Sequence, residues 1–401
     1  MSRRFSFHMA SMEMMGLKTG VIGAGIGGLT AALCLQRRGA QVTVLEQAED
    51  ITEVGAGLQI SPNGVAVLRA LGLETALAQK AVRARAVELR DYAVGRLVTR
   101  VDLGHLPEEM RYYFVHRADL IDLLAEAVRR TGIRVRLLQK VEDVLPGEKP
   151  VARMANGAEF GAKLLLGADG LHSRARAALN GTVAPFFTRQ VAWRATVPNT
   201  SGHPDVAQVH MGPHRHVVTY PLRGGALVNI VAVQERAAWA EEGWHIADDP
   251  ANLRAVFADF GGIVPDLLKQ VDTVRRWGLF RHPVAPVWHK ANVAILGDAA
   301  HPTLPFMAQG AVMAIEDAWV LGDALAEAPD TESGLSGYQA RREERVKRVV
   351  AAASKNAWKY HLSVPPVRAL AHLGLRIGGA VAPKRMLSQF DWIYRHDVTA
   401  G

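Results

Sequence analysis

Residues 17–46 carry the feature that most constrains the fold. A short apolar stretch ends in Val21-Ile22 and runs into Gly23-Ala24-Gly25-Ile26-Gly27-Gly28, after which Leu29-Thr30-Ala31-Ala32-Leu33 begins a helix. Glycines in this pattern permit a tight turn, close approach of the backbone to a pyrophosphate, and close helix–strand packing. Free N–H groups at the start of the helix then meet phosphate. Gln41-Val42-Thr43-Val44-Leu45-Glu46 reads as the next strand, and Glu46 stands 18 residues after Gly28. That is near the spacing at which a carboxylate holds the ribose hydroxyls of an adenosine. The unit predicts a dinucleotide-binding sheet without separating FAD from NAD.

Two further segments lie far downstream. Lys163-Leu164-Leu165-Leu166 reads as a strand that enters Gly167-Ala168-Asp169-Gly170-Leu171-His172-Ser173-Arg174. Asp169 can accept hydrogen bonds that fix this turn, and Ser173 and Arg174 can open a helix. Val293-Ala294-Ile295-Leu296 has a buried-strand composition and ends in Gly297-Asp298-Ala299-Ala300-His301-Pro302. Pro302 and Pro305 exclude a regular helix through Phe306. A helix is expected from near Gln309-Gly310-Ala311, with Val312, Ile315, Trp319 and Gly322 as its buried stripe.

In this order and at these separations, the three segments resemble the FAD-contacting segments of the single-component (group A) FAD-dependent aromatic hydroxylases, such as salicylate, 3-hydroxybenzoate and 6-hydroxynicotinate monooxygenases. The resemblance spans about residues 17–360. It implies an α/β fold with α+β elements: a Rossmann-like FAD-binding domain, an interleaved β-sheet substrate domain and a C-terminal helical segment. It implies cofactor contacts at Gly23, Gly25, Gly28, Glu46, Asp169, Asp298, Pro305, Gly310 and Ala311. Asp298 is placed for a ribityl hydroxyl. The resemblance also implies that the helix at Gly310 points its N-terminus at the flavin pyrimidine ring, where its dipole would stabilise negative charge. Gly55–Asn63 resembles the family's flavin-side loop. His116-Arg117-Ala118-Asp119-Leu120 resembles the segment whose arginine contacts FAD, which puts that role on Arg117. His301 reads as a loop-shaping residue.

The FAD-binding pieces are expected at 17–75, 106–180 and 286–330, the substrate domain at 76–105 and 181–285, and a helical region at 331–401 on the outside or at a dimer contact. Residues 1–16 read as a disordered leader. Val191–Val197, Gln208–Met211, His216–Leu222 and Ala226–Val233 look like strands between Gly and Pro turns. Alternation along a strand puts His216, Val218 and Tyr220 on one face. The resemblance makes His216 and Tyr220 the pair that addresses a substrate phenol. His210, His214 and Arg215 lie nearby, and the choice of base among them stays open. Trp193-Arg194 can supply an aromatic wall and a carboxylate clamp, so Arg194, Tyr220 and Phe306 are the candidate substrate contacts. The 3-hydroxybenzoate enzymes are expected to carry a glutamine where this chain has Pro305, which sets 3-hydroxybenzoate itself in question.

The implied reaction uses NADH or NADPH to reduce FAD and O2 to form a flavin C4a-hydroperoxide. A small phenolic or hydroxyheteroaromatic acid then takes one oxygen atom. The bulk composition agrees with such an enzyme: 401 residues, 49% hydrophobic and 21% charged. A single cysteine, Cys34, cannot form an internal disulfide and points to the cytoplasm. The formal charge of +8 favours anionic partners. No nucleic-acid module is recognised, no apolar run reaches the ~18–20 residues of a membrane span, and no residue cluster has metal-ligand spacing. The expected partners are the aromatic substrate, O2 and NAD(P)H, with a homodimer left open. The charge run Arg341–Arg348 reads as a solvated helix face with Glu343/Lys347 and Glu344/Arg348 at i,i+4. Met386–Tyr394 reads as packing on its own fold. Were it to dock on lipid instead, the enzyme would be a hydroxylase of a lipid-linked phenol. A non-catalytic dinucleotide-binding protein would need only the first glycine motif.

Overall fold

The computed structural model describes residues 14–51, 56–236 and 246–400, and in 356–358 the backbone alone. Lys18–Ile22, the helix Ile26–Gln36 and Gln41–Leu45 form the expected strand–helix–strand unit. The two strands pair in parallel, Val21 opposite Val44. Both are buried on both faces apart from their first residues, as a helix-covered parallel sheet requires. Leu164–Gly167 adds on the other side of Lys18–Ile22, and Val293–Ile295 adds beyond it. All three glycine-bearing turns therefore leave the same end of one six-stranded sheet, completed by Arg134–Arg136 and the short edge strand His289–Lys290. In an open parallel sheet that end is where ligands bind.

Of the expected leader, residues 1–13 lie outside the described residues, and residues 14–16 are packed. Met14 is 1% exposed, and the Gly16 amide donates to the Gly39 carbonyl at 2.8 Å. Residues 14–16 therefore belong to the packed fold.

A second sheet of eight strands forms a roof. Its order is Ala247–Asp248, Val274–Arg281, Phe186–Pro198, Leu227–Glu235, Arg215–Leu222, Val206–Gly212, Ala86–Asp91 and Leu97–Asp102. The four strands read from the sequence are all present, in a continuous block. Neighbours are antiparallel except Val206–Gly212 with Ala86–Asp91. One face of the roof carries Val191, Trp193, Val217, Ile230 and Ala232, which pack on Leu253, Phe257, Val264 and Leu267. The other face carries Ala192, Val231, Val233 and Trp277, which meet Leu304 and Phe306. A three-stranded sheet of Gly57–Ile60, Tyr113–His116 and Val82–Arg83 joins the two bodies. Its link to the roof is specific: the Gly57 amide donates to Asn229 Oδ1 at 2.7 Å.

The C-terminal region is helical, and its helix Thr331–Asn356 is buried along one face and exposed along the other. It packs on the buried helix Gly310–Glu327, and its Arg342 is 1% exposed. Arg342 pairs with Glu316 at 2.7 Å and with Asp317 at 2.8 Å, while Arg345 pairs with Glu316 at 2.8 Å. The charge run thus splits around the helix. Glu343 and Lys347 form the exposed i,i+4 pair at 2.6 Å, and Arg348 turns to the ring of Trp392 instead of pairing with Glu344. Leu387, Ile393 and Tyr394 are buried in one cluster with Tyr112 and Phe114, so this segment packs on its own fold. The helix Pro365–Val381 keeps Val367, Leu370, Leu373, Ile377 and Val381 exposed. Among the described residues, no helix is long and apolar enough to cross a membrane.

Candidate active site

The first glycine turn is shaped by contacts that leave no room for side chains. A Cβ on Gly28 would lie 2.0 Å from the Gly23 carbonyl oxygen, and one on Gly23, at φ +100°, would lie 2.5 Å from the Ala168 oxygen. Gly25 is different, because a Cβ there meets no protein atom within 4 Å. Gly25 is also the N-cap of Ile26–Gln36, and no side chain caps that helix. Bare amides beside open space suit a pyrophosphate. Glu46 sits at the end of its strand, where one carboxylate oxygen accepts the Ala24 amide at 2.7 Å and the other the Ala48 amide at 2.9 Å. Each oxygen keeps a further lone pair for a hydroxyl.

Asp169 spends its carboxylate inside its own turn. It accepts Ser173 Oγ at 2.5 Å and the Arg174 amide at 2.7 Å, and Ser173 in turn caps the helix Arg174–Asn180 through the Arg176 amide. The structure displays this turn-fixing role.

Around the third motif, Pro302 and Pro305 allow only short 3-10 turns at Gly297–Ala299 and Pro305–Met307 before the helix Gly310–Glu327 begins. No side chain caps that helix either, so the amides of Gly310 and Ala311 face outward at its N-terminus. Asp298 is exposed, although protein groups crowd closely around it. Burial raises its carboxyl above the usual range, opposed by the charges of His301, Arg117 and His282. Arg117 opens the helix Arg117–Arg130, and its amide donates to the Ala56 carbonyl at 2.9 Å. Two residues 181 positions apart in sequence are thus brought within electrostatic reach of each other. Two uncapped helix starts, an open glycine, and carboxylates at two strand ends fit FAD.

His301 is buried and gives Nε2 to Asp317 at 2.5 Å, with its ring against Trp288. It shapes the loop, as its position suggested. Gln309 does not face the roof. It joins Ser61, Asn63 and Glu316 in a buried network: Asn63 donates to Glu316 at 2.7 Å, and Gln309 donates to Ser61 at 2.9 Å. Sequence reading missed this network, whose members are 246–253 residues apart across the helix.

The roof places His216, Val218 and Tyr220 on the face toward the flavin motifs. Tyr220 is buried against Phe114, ring centroids 5.1 Å apart, and lies over Gly57. Burial raises its phenol well above 10, opposed by Arg194. His216 is 2% exposed, and its ring lies 5.8 Å from Phe306 and 5.3 Å from Tyr360. Burial pushes His216 well below the ordinary histidine value, and His361 adds to this. Arg194 stacks on the Trp277 ring at 5.2 Å. Trp193 is not the expected aromatic wall. Alternation turns it to the far face, where its Nε1 donates to Asp248 at 2.7 Å; Trp277 supplies the ring beside Arg194. Phe306 is partly buried and Pro305 is exposed.

The family described as FAD binding domain matches residues 17–353. The chain belongs to the FAD-dependent aromatic hydroxylases. It is 34% identical to a 3-amino-4-hydroxybenzoate 2-monooxygenase of Streptomyces platensis, over 93% of this chain and 94% of that one. It is also 34% identical to a 3-hydroxybenzoate 6-hydroxylase of Polaromonas naphthalenivorans, over 94% and 96%. The solved structure of Klebsiella pneumoniae HpxO with FAD and uric acid superposes with a TM-score of 0.82 at 27% identity, covering 93% of this chain and 97% of that one. The enzyme is an FAD-dependent monooxygenase, and its family draws electrons from NAD(P)H. This membership excludes the non-catalytic binding protein.

Proposed function

We propose that this monooxygenase hydroxylates a small anionic phenolic or hydroxyheteroaromatic acid in the space between the roof and the Leu304–Gln309 loop. One observation carries the reading. A single face of the roof brings His216, Tyr220 and Arg194 over the loop that holds Phe306 and leads into the Gly310 helix. Residues 17–75, 106–180 and 286–330 serve as the FAD-binding body, 76–105 and 181–285 as the substrate body, and 331–401 as a helical support.

Gly23, Gly25 and Gly28 hold the pyrophosphate and Glu46 the adenosine ribose. Arg117, Asp298, Pro305, Gly310 and Ala311 line the flavin side, and Asp169 holds the turn beside the pyrophosphate. FAD, once bound and reduced, supplies the activated oxygen. The chain's own work is to orient and deprotonate the phenol. Tyr220, with its raised pKa, keeps its proton at neutral pH and donates a hydrogen bond. His216, neutral at that pH, has a lone pair for the phenolic proton. Arg194 attracts the substrate carboxylate, and Phe306 excludes water from the reacting edge. The cytoplasm is the compartment consistent with one unpaired cysteine, and a homodimer remains part of the proposal, checked by light scattering for a mass twice 43.5 kDa.

A mass-spectrometric turnover screen tests the reading. FAD-loaded enzyme, NADH or NADPH, and air are offered hydroxybenzoates, aminohydroxybenzoates and hydroxynicotinates. The expected result is a product heavier by one oxygen, with substrate-stimulated NAD(P)H oxidation. Turnover confined to a lipid-linked phenol would overturn the substrate class.

A further inference from the structure

His216 does not end in the protein core. Its Nδ1 lies 2.7 Å from His361 Nε2, and His361 Nδ1 lies 2.8 Å from Glu235 Oε1. The second carboxylate oxygen of Glu235 lies 2.7 Å from His214 Nδ1. His216 and His361 are buried, whereas the Glu235 and His214 side chains are 37% and 60% exposed. Glu235 and His214 line an open surface hollow of about 410 Å³, together with Arg189 and Arg236. An unbroken line of side chains therefore runs from the inner face of the roof to solvent. We propose that His361 and Glu235 are positioning residues that form a proton relay, carrying the substrate's phenolic proton from His216 to the surface. The proposal rests on the reading of His216 as the base.

The chain of acceptors fixes where each proton sits. Glu235 is an anion: burial would raise its pKa, but hydrogen bonds to His214 and His361 outweigh this and lower it. A carboxylate only accepts, so His361 carries its hydrogen on Nδ1. Burial keeps His361 neutral, so its Nε2 is a bare lone pair. His216 must then carry its hydrogen on Nδ1, which leaves its own Nε2 as the acceptor. No described residue is hydrogen-bonded to that Nε2. Glu235 thus sets, through His361, the tautomer in which His216 can act as a base.

Burial also explains why a relay is needed. Packed between Phe306, Tyr360 and His361, His216 cannot keep a positive charge. It must pass on from Nδ1 what it takes at Nε2. The substrate O–H breaks as His216 Nε2–H forms. His216 Nδ1–H breaks as His361 Nε2–H forms. His361 Nδ1–H breaks as a Glu235 O–H forms, and Glu235 releases that proton to water or His214. No electrons change hands, and the reverse path returns a proton to the product oxygen. The titratable and charged groups packed around the line are His361 and Tyr360 from the C-terminal segment, His214 from the hairpin, Glu235, and Arg189 and Arg236 at the hollow, while Arg215 turns to Asp259 on the other face.

The test has two arms on FAD-loaded enzyme. Histidine 15N NMR should find His216 and His361 as Nδ1–H tautomers in the wild type, and Glu235→Gln should abolish that preference. A wild-type His216 protonated on Nε2 overturns the relay whatever the substrate. The second arm measures turnover of 3-amino-4-hydroxybenzoate and 3-hydroxybenzoate as probes. His361→Asn and Glu235→Gln should lower kcat at least tenfold with KM within about twofold, and added imidazole should restore much of the His361→Asn loss. The Glu235→Gln rate should rise with pH and buffer concentration. Loss without rescue or pH shift, or no loss in either variant, overturns the relay. If the wild type turns over neither probe, the substrate reading fails while the NMR arm still decides the relay.

Discussion

The Asn229 side chain accepts the Gly57 amide at 2.7 Å, joining the centre of the roof to the flavin-side strand across 172 residues of sequence. A buried amide that loses its acceptor costs roughly 1–3 kcal/mol. In Asn229→Ala the Gly57 amide is left in that state, and the gap between roof and flavin side loosens. The expected outcome is a lower melting temperature and a larger share of NAD(P)H oxidation ending in peroxide. Comparing peroxide with oxygenated product in wild type and variant checks it.

Two glycines of the first turn separate fold from ligand. Gly28→Val places a side chain where even a Cβ would lie 2.0 Å from the Gly23 oxygen, so the turn itself fails and soluble yield collapses. Gly25→Val meets no protein within 4 Å of its Cβ. It should fold with the melting temperature of the flavin-free wild type and bind FAD at least tenfold more weakly. Flavin titration alongside thermal melting reads both. Equal FAD affinity in Gly25→Val would remove the pyrophosphate from this turn.

The buried Glu316–Asp317–Arg342 cluster dictates a pH dependence. Burial would raise both carboxyls, but Arg342 and Arg345 at Glu316, and His301 and Arg342 at Asp317, hold each at about 2, below their ordinary 4.5 and 3.8. A lowered folded-state pKa stabilises the protein above the ordinary value and is lost as pH falls through the folded value. Stability should hold down to about pH 4.5 and decay toward pH 2, by roughly 2–3 kcal/mol per carboxyl. Arg342→Met leaves Glu316 with Arg345 alone and Asp317 with His301 alone, at a cost of about 3–5 kcal/mol. It also shifts the acid decay to higher pH. Urea unfolding between pH 7 and pH 3 measures both effects.

Tyr220 and His216 differ in what their loss should do. The Tyr220 hydroxyl forms no hydrogen bond with another described residue, so Tyr220→Phe should keep stability within about 0.5 kcal/mol. Its kcat/KM should fall about tenfold, the worth of one substrate hydrogen bond. His216→Asn should lower kcat by about 10²-fold or more, the range of one general base. Steady-state kinetics on the substrate found by the screen distinguishes them. A larger loss at Tyr220 than at His216 would exchange the two roles.

The parts legible in sequence are those governed by neighbours along the chain. The glycine turn, the helix start near Gly310, the four roof strands and the shared face of His216 and Tyr220 follow from local sterics and from periods of 2 and 3.6 residues, whereas the first helix, read from Leu29, begins three residues earlier at Ile26. The proline-broken loop at 302–307 follows from the fixed backbone of proline. Tertiary structure alone decided which face of a charged helix is buried. Arg342 and Glu343 are adjacent and chemically ordinary in sequence, yet one is sealed against Asp317 and the other faces Lys347. It also decided that Trp277, rather than Trp193, stands beside Arg194, because alternation says that two residues differ in face but not which face looks inward. His361 and Glu235 carry no local signature, being 126 residues apart, and only the packing of the C-terminal segment against the hairpin joins them. Local pattern determines what an element is; burial, which depends on every other element at once, determines what its side chains do.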